Sequence, residues 1–178
     1  MPDRHSVGIR VMRFGRVVFL AATGVVAWVI AGLLDGQRTF GQIQVCSGHM
    51  KTLSLSMGQY AMDWDETYPP RTAWGTDLAA YSGSRRPTLA TTMHCPGVAS
   101  RYGYALNEAL GGIHTQAVDL TNCVMLFESD ADDINASGSY RDMAKVRHRH
   151  LNVAYCDGHA RTITMYDRKI WVWKPGKL

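Results

Sequence analysis

Five side chains near the C-terminal end, His148, His150, Cys156, Asp157 and His159, are of the types that hold a transition metal: imidazole, thiolate and carboxylate. Their spacing argues for another use. Asp157-Gly158 between two strand-like segments is a two-residue hairpin signal, which makes Cys156 and His159 a cross-strand pair and occupies Asp157 in the turn. On this reading His148 ties down a neighbouring loop by hydrogen bonding to backbone near a helix end. Upstream, Asp130-Ala131-Asp132-Asp133-Ile134-Asn135 supplies hard oxygen ligands of the kind calcium prefers, but Ile134 falls where an EF-hand needs an oxygen. The stretch reads as a solvated acidic loop, so no cofactor is expected. Calcium on Asp130, Asp132 and Asp133 is the one ion to test. There is no Gly-x-Ser-x-Gly elbow, no phosphate-binding glycine loop and no His-Glu-x-x-His. With no credible nucleophile, the chain is not expected to be an enzyme.

The elements that must position these groups follow from periodicity. Phe40, Ile43, Cys46, Met50, Leu53, Met57, Tyr60 and Trp64 recur at steps of three and four, one stripe of an amphipathic helix, with Gln42, Gln44, Ser47, Lys51, Ser54, Ser56 and Gln59 on a wettable opposite face. Asp65 to Pro70 ends that helix, because consecutive prolines cannot continue it. Trp74, Leu78 and Tyr81 predict a short second helix ending at Gly83, and Ser82 to Thr92 a loop. From Met93 the period becomes two. Short strands are predicted at Arg101 to Leu106, Cys123 to Phe127, Asn152 to Cys156 and His159 to Tyr166, with a polar loop over Ser129 to Asp142. Trp171 and Trp173 alternate on one side of a terminal strand, and Glu128 has no assigned role.

Ahead of the stripe lies an uncharged run, Val17 to Leu34, preceded by Arg4, Arg10, Arg13 and Arg16 with Asp3 the one acid. As a helix it would extend roughly 27 Å, close to a bilayer's hydrocarbon thickness. Positive charge stays on the cytoplasmic side. The expectation is therefore a basic cytoplasmic tail over 1–16, a single transmembrane helix over 17–34, and an extracytoplasmic domain over 37–178. A cleaved signal would end in small residues, and a buried helix would show a polar side; Ile30-Ala31-Gly32-Leu33-Leu34 and the near absence of polar positions disfavour both.

Those outer residues amount to one ordinary domain. Of 19 Lys and Arg and 15 Asp and Glu, four arginines and two aspartates lie in the first 36 residues, which leaves the rest near +2. With no basic stripe, no nucleic-acid partner is expected. All four cysteines, Cys46, Cys95, Cys123 and Cys156, fall in the part placed in an oxidising compartment. None forms a Cys-x-x-Cys pair, so bridging is favoured over zinc, with three pairings open.

Several of these features resemble one bacterial family. Cys46 on the helix, Gln59 to Pro70 (QYAMDWDETYPP), Cys95-Pro96, Tyr102-Gly103-Tyr104, and Arg147-His148 leading to Asn152-Val153-Ala154-Tyr155-Cys156-Asp157-Gly158-His159 occur in order. Together they resemble pseudopilin-like proteins of the type II secretion and type IV pilin kind, with a C-terminal signature of His, nine residues, then Asp-Gly. The likeness runs from about Cys46 to Thr164. It implies an α+β, pilin-like fold: a long N-terminal helix, transmembrane in one half and amphipathic in the other, packed on a small antiparallel β-sheet. His148, Asn152, Asp157, Gly158 and His159 become structural signature residues. Cys46 and Cys95 occupy the family's cysteine positions, and a bridge there would close a loop of about 48 residues, contributing roughly 4 kcal/mol. Pseudopilins of this kind also bind calcium in a late loop.

Two departures stand out. Eight residues, not nine, separate His148 from Asp157. Gly15 is followed by Arg16, and Leu20 stands where a pilin carries the glutamate that pairs with a neighbouring subunit, so the prepilin cleavage motif is not matched. The function implied is a structural subunit of a secretion or pilus-like assembly, held in the inner membrane. Its partners would be the membrane and other pilin-like subunits or further copies of itself. The rival class is an anchored extracytoplasmic ligand- or metal-binding domain using the loops around His148 and Asp130.

Overall fold

Ile43, Cys46, Met50, Leu53, Met57 and Tyr60 form the buried ridge of helix α1 (Arg4–Asp63) in the computed structural model. The structure describes residues 23–81, 89–145, 147, 150–163 and 172–176 in full, together with the helical backbone of 4–22. The chain divides into two units, Met1–Thr39 and Phe40–Leu178.

In the first unit the apolar side chains from Val25 to Leu34 are exposed, Trp28 at 77%. Among the described residues no helix is long and apolar enough to cross a membrane. The side chains of 17–22, which open the expected 17–34 span, lie outside the described residues, as do those of the basic tail 1–16. α1 runs without interruption through Asp35-Gly36. A glycine costs up to about 1 kcal/mol in a helix and does not forbid one.

The second unit holds the rest of the fold. Phe40 and Trp64, the two ends of the predicted stripe, are exposed, while Ser54 and Ser56, assigned to the wet face, are buried. The helix stops where expected. Asp65 and Glu66 take positive φ values of 52° and 51°, a left-handed reversal that the neighbouring segment holds. Thr115 N–H donates to the Glu66 carbonyl at 2.7 Å, and Gln116 Nε2 donates to Glu66 Oε2 at 2.9 Å. The second helix, α2 (Trp74–Asp77), continues as a 3-10 turn to Ala80, and Gly83 lies outside the described residues. Trp74 is buried and donates from Nε1 to the Ala136 carbonyl at 2.9 Å. Within the expected loop 82–92, residues 82–88 are not described and Leu89–Thr92 forms a short helix, α3.

Five strands form one sheet: β1 (Tyr104–Asn107), β2 (Val124–Glu128), β3 (Ser137–Gly138), β4 (Leu151–Tyr155) and β5 (Ala160–Ile163), in the order β3-β1-β2-β4-β5. The expected sheet was antiparallel throughout. It is mixed, because β3, hidden in the polar stretch 129–142, pairs parallel with β1 through Leu106↔Ser137 and Asn107↔Gly138. A two-residue strand carries no alternation for periodicity to find. Residues 164–166 of the last predicted strand, and Trp171, lie outside the described residues.

Both faces of the sheet are covered. Met50, Leu53 and Met57 of α1 share one core with Tyr104, Leu106, Leu126 and Ala154. Ala105, Val124, Phe127, Val153, Tyr155 and Ile163 form the core on the other face, where Trp173 packs edge-on to Phe127 with ring centroids 5.3 Å apart. Double coverage explains why β1, β2 and β4 are buried at every position. A bulge between Val124 and Leu126 adds Met125 to β2, so Met125 and Leu126 both join the helix-side core.

Candidate functional site

One signature residue, Asn152, lies at the centre of the helix-facing side of the sheet, in a row with Tyr104, Glu128 and Thr162. Tyr104 pairs with Glu128 between β1 and β2, and Asn152 pairs with Thr162 between β4 and β5. Asn152 Nδ2 donates to Glu128 Oε1 at 2.9 Å and to the Ile43 carbonyl of α1 at 3.4 Å, while its Oδ1 accepts from Thr162 Oγ1 at 2.8 Å. One fully buried amide thus ties two strands and the helix to β4. Buried polar groups persist where their hydrogen-bonding capacity is used, and here it is.

Beside this row Cys46 from α1 and Cys95 from the turn after α3 place their sulfurs 2.9 Å apart. Both are free thiols, so the expected bond is not formed although the pair is brought together. The hydrogen bond to Cys95 and burial both push the Cys46 thiol up. Burial likewise pushes Tyr104 well above its ordinary value, with Cys46 adding to the effect. His49, bonded through Nδ1 to the His94 carbonyl at 3.0 Å, is held below its ordinary value chiefly by burial.

Cys46, Cys95 and Glu128 are the one group of three metal-capable side chains whose ligand atoms converge among the described residues, all within 4.8 Å and all buried. The sulfur spacing does not suit an ion. Two thiolates on a tetrahedral zinc, with bonds of about 2.3 Å, sit roughly 3.8 Å apart. The two thiols are hydrogen-bonded and stand under 1 Å of further approach from the roughly 2.05 Å of a disulfide. This close packing also explains Tyr102-Gly103-Tyr104: a Cβ on Gly103 would lie 2.7 Å from Cys95 Cβ and 3.3 Å from Arg147 Nη1.

Arg147 ties down the loop beside it; His148, given a loop-tying role from the sequence, lies outside the described residues. The buried Arg147 guanidinium donates to the Gly103 carbonyl at 3.2 Å, to the Ser129 carbonyl, and to Asp130 Oδ1 at 2.7 Å. Burial is the largest influence on the Asp130 carboxyl and acts upward, but the Arg147 and Lys145 hydrogen bonds and their positive charges together outweigh it, and Asp130 titrates below its ordinary value. For Arg147 burial acts downward, and the same bond raises it.

The acidic loop is spent on local bonds. Asp130 also accepts from Lys145 N–H at 3.1 Å, Asp132 from Tyr102 N–H at 3.0 Å, and Asp133 from Asn135 N–H at 2.9 Å. The three carboxylates serve four different partners and, among the described residues, do not converge on one point.

At the hairpin the register corrects the sequence reading. Ala154 pairs with Ala160 and Tyr155 N–H donates to the His159 carbonyl, so Tyr155, not Cys156, faces His159. Cys156-Asp157-Gly158 is a three-residue loop with Gly158 at φ +90°, a left-handed position suited to glycine. Asp157 Oδ1 accepts from both His159 N–H and its ring, and His159 stacks on Tyr155 at 4.2 Å. His150 donates its N–H to the Arg147 carbonyl at 3.0 Å.

Among the described residues, two clefts can be placed elsewhere. One, of about 270 Å³, is lined by Met62, Glu66, Tyr68 and Cys156 among others; the second, about 430 Å³, lies by Arg71, Asp133 and Asn135. Neither takes His150, Asn152 or Asp157 into its wall. Sequence reasoning missed Glu128 and Arg147 as partners of this centre. A carboxylate ending an otherwise apolar strand was the available signal for the first. Comparison with family models, with curated proteins and with solved structures finds no match to this chain.

Proposed function

We propose that the chain is a membrane-anchored, pseudopilin-like structural subunit: a cytoplasmic basic tail, a single membrane helix over 17–34, and a domain over 37–178 on the far side of the inner membrane. The observation that carries the reading is how the signature residues are used. Asn152, Asp157, Gly158 and His159 hold strand to strand and turn to strand, and none lines either of the two clefts described above. Residues that carried a reaction or held a ligand would direct polar atoms toward open space. The exposed apolar side chains from Val25 to Leu34 suit a lipid environment. The domain is then a rigid body for docking against pilin-like neighbours or further copies.

Fractionation of the host cell, followed by sequencing the chain's N-terminus from each fraction, tests this. Recovery from the inner membrane with an intact start, or with a start after Gly15, supports the anchored subunit. Recovery from the cytosol, or a start after residue 34, overturns it. Co-purification of pilin-like subunits from detergent extracts favours assembly over a stand-alone module.

A further inference from the structure

Cys123 precedes β2 and Cys156 follows β4, strands that chain order does not join, and the structure sets the two cysteines side by side. Val124 pairs with Tyr155 at the ends of β2 and β4, and one step further Cys156 N–H donates to the Cys123 carbonyl at 3.1 Å. Directly opposed residues of antiparallel neighbours have Cα atoms about 4.5–5.5 Å apart, inside the roughly 4.4–6.8 Å that a disulfide spans. Both side chains also lie on the same face. Alternation back from Glu128 would put Cys123 on the side away from α1, but the extra residue Met125 reverses the phase, so Cys123 joins the helix-side core against which Cys156 packs. Cys123 is buried and Cys156 half-buried at the wall of the 270 Å³ cleft.

From this geometry we infer that Cys123 and Cys156 form a second disulfide, installed by a thiol–disulfide oxidoreductase or an equivalent small disulfide. One cysteine thiolate attacks the carrier's disulfide, giving a mixed disulfide and one carrier thiolate. The other cysteine sulfur then attacks the chain's sulfur in that mixed disulfide and releases the second. The two protons lost by the chain go to the carrier, which leaves as a dithiol, and the chain is oxidised by two electrons. In the dithiol the two side chains are hydrogen-bonded, which holds Cys123 below an ordinary thiol and Cys156 above it. The bridge pins a three-way seam: Val124 N–H donates to the Val172 carbonyl at 3.0 Å, and Asn107 Nδ2 donates to the Val124 and Trp173 carbonyls at 2.8 and 3.0 Å. The C-terminal segment is thereby held to the start of β2.

The inference rests on the extracytoplasmic placement proposed above for its oxidant, and the test separates the two. Trypsin leaves the four cysteines on four peptides, 39–51, 86–101, 102–141 and 150–161. The full chain is taken from cells quenched with an alkylating agent and digested without reduction. The expected result joins 39–51 to 86–101 and 102–141 to 150–161. A crossed pairing, or 102–141 and 150–161 alkylated while the other two are joined, overturns the second bridge. If all four are alkylated, the placement falls, and oxidation of the purified reduced chain by oxidised glutathione decides the pair: a 102–141/150–161 link sustains it and its absence overturns it. In the oxidised chain Cys123→Ser and Cys156→Ser should lower the melting temperature equally, and the double variant should lower it no further.

Discussion

Asn152 and Glu128 face each other across the β4–β2 pair with 2.9 Å between Nδ2 and Oε1, both side chains wholly buried. They continue a row that runs from Tyr104 to Thr162 over four strands, on the face that receives α1. Asn152→Ala would remove the donor to Glu128 and the acceptor of Thr162 together. Leaving a buried polar partner unsatisfied costs about 1–3 kcal/mol. Urea unfolding should show a lower midpoint with an unchanged slope.

Gly103 and Gly48 should respond to alanine with opposite signs. The new Cβ at 103 meets Cys95 Cβ at 2.7 Å and its backbone nitrogen at 3.1 Å, so the turn carrying Cys95 must shift. Overpacking of this kind costs about 1–3 kcal/mol. At Gly48, inside α1, nothing lies within 4 Å of the new atom, and Gly48→Ala should stabilise by up to about 1 kcal/mol. Thermal melts of the two variants beside the parent decide both.

Arg147→Met should be costly at neutral pH, because the Gly103 and Ser129 carbonyls lose a shared buried donor. Asp130→Asn tests the acid side of the same contact. The Asp130 carboxyl is depressed in the folded chain, so its contribution is complete above the unfolded value near 3.8 and is lost as pH falls through the lower folded value. The carboxylate is more than half exposed, which keeps the effect small. Urea midpoints measured from about pH 5 down to pH 2 should fall less steeply for Asp130→Asn than for the parent.

A bridge between Cys46 and Cys95 would close a loop of about 48 residues and contribute roughly 4 kcal/mol. Dithiothreitol should therefore lower the urea midpoint of the oxidised parent by more than that of Cys46→Ala, which keeps only the Cys123–Cys156 link to lose. Equal shifts in the two would remove the bridge from the account.

What the chain's own order determined was local. The ridge from Ile43 to Tyr60, the stop at Asp65, the turn at Gly158 and four of the five strands were all legible in it. Each depends on neighbours within about four residues: helical period, proline's fixed φ, glycine's access to positive φ, two-residue alternation. The tertiary structure decided everything that hangs on strand order and register. It paired β3 with β1, made the last hairpin loop three residues so that Tyr155 faces His159, and gave Arg147 its clasp on Gly103 and Ser129. The clearest case is Cys123. Alternation counted along β2 puts it on the wrong face, and only the bulge at Met125 turns it toward Cys156. One added residue reverses every side chain beyond it, and pairing with a distant strand, not any nearby residue type, sets where that residue is added.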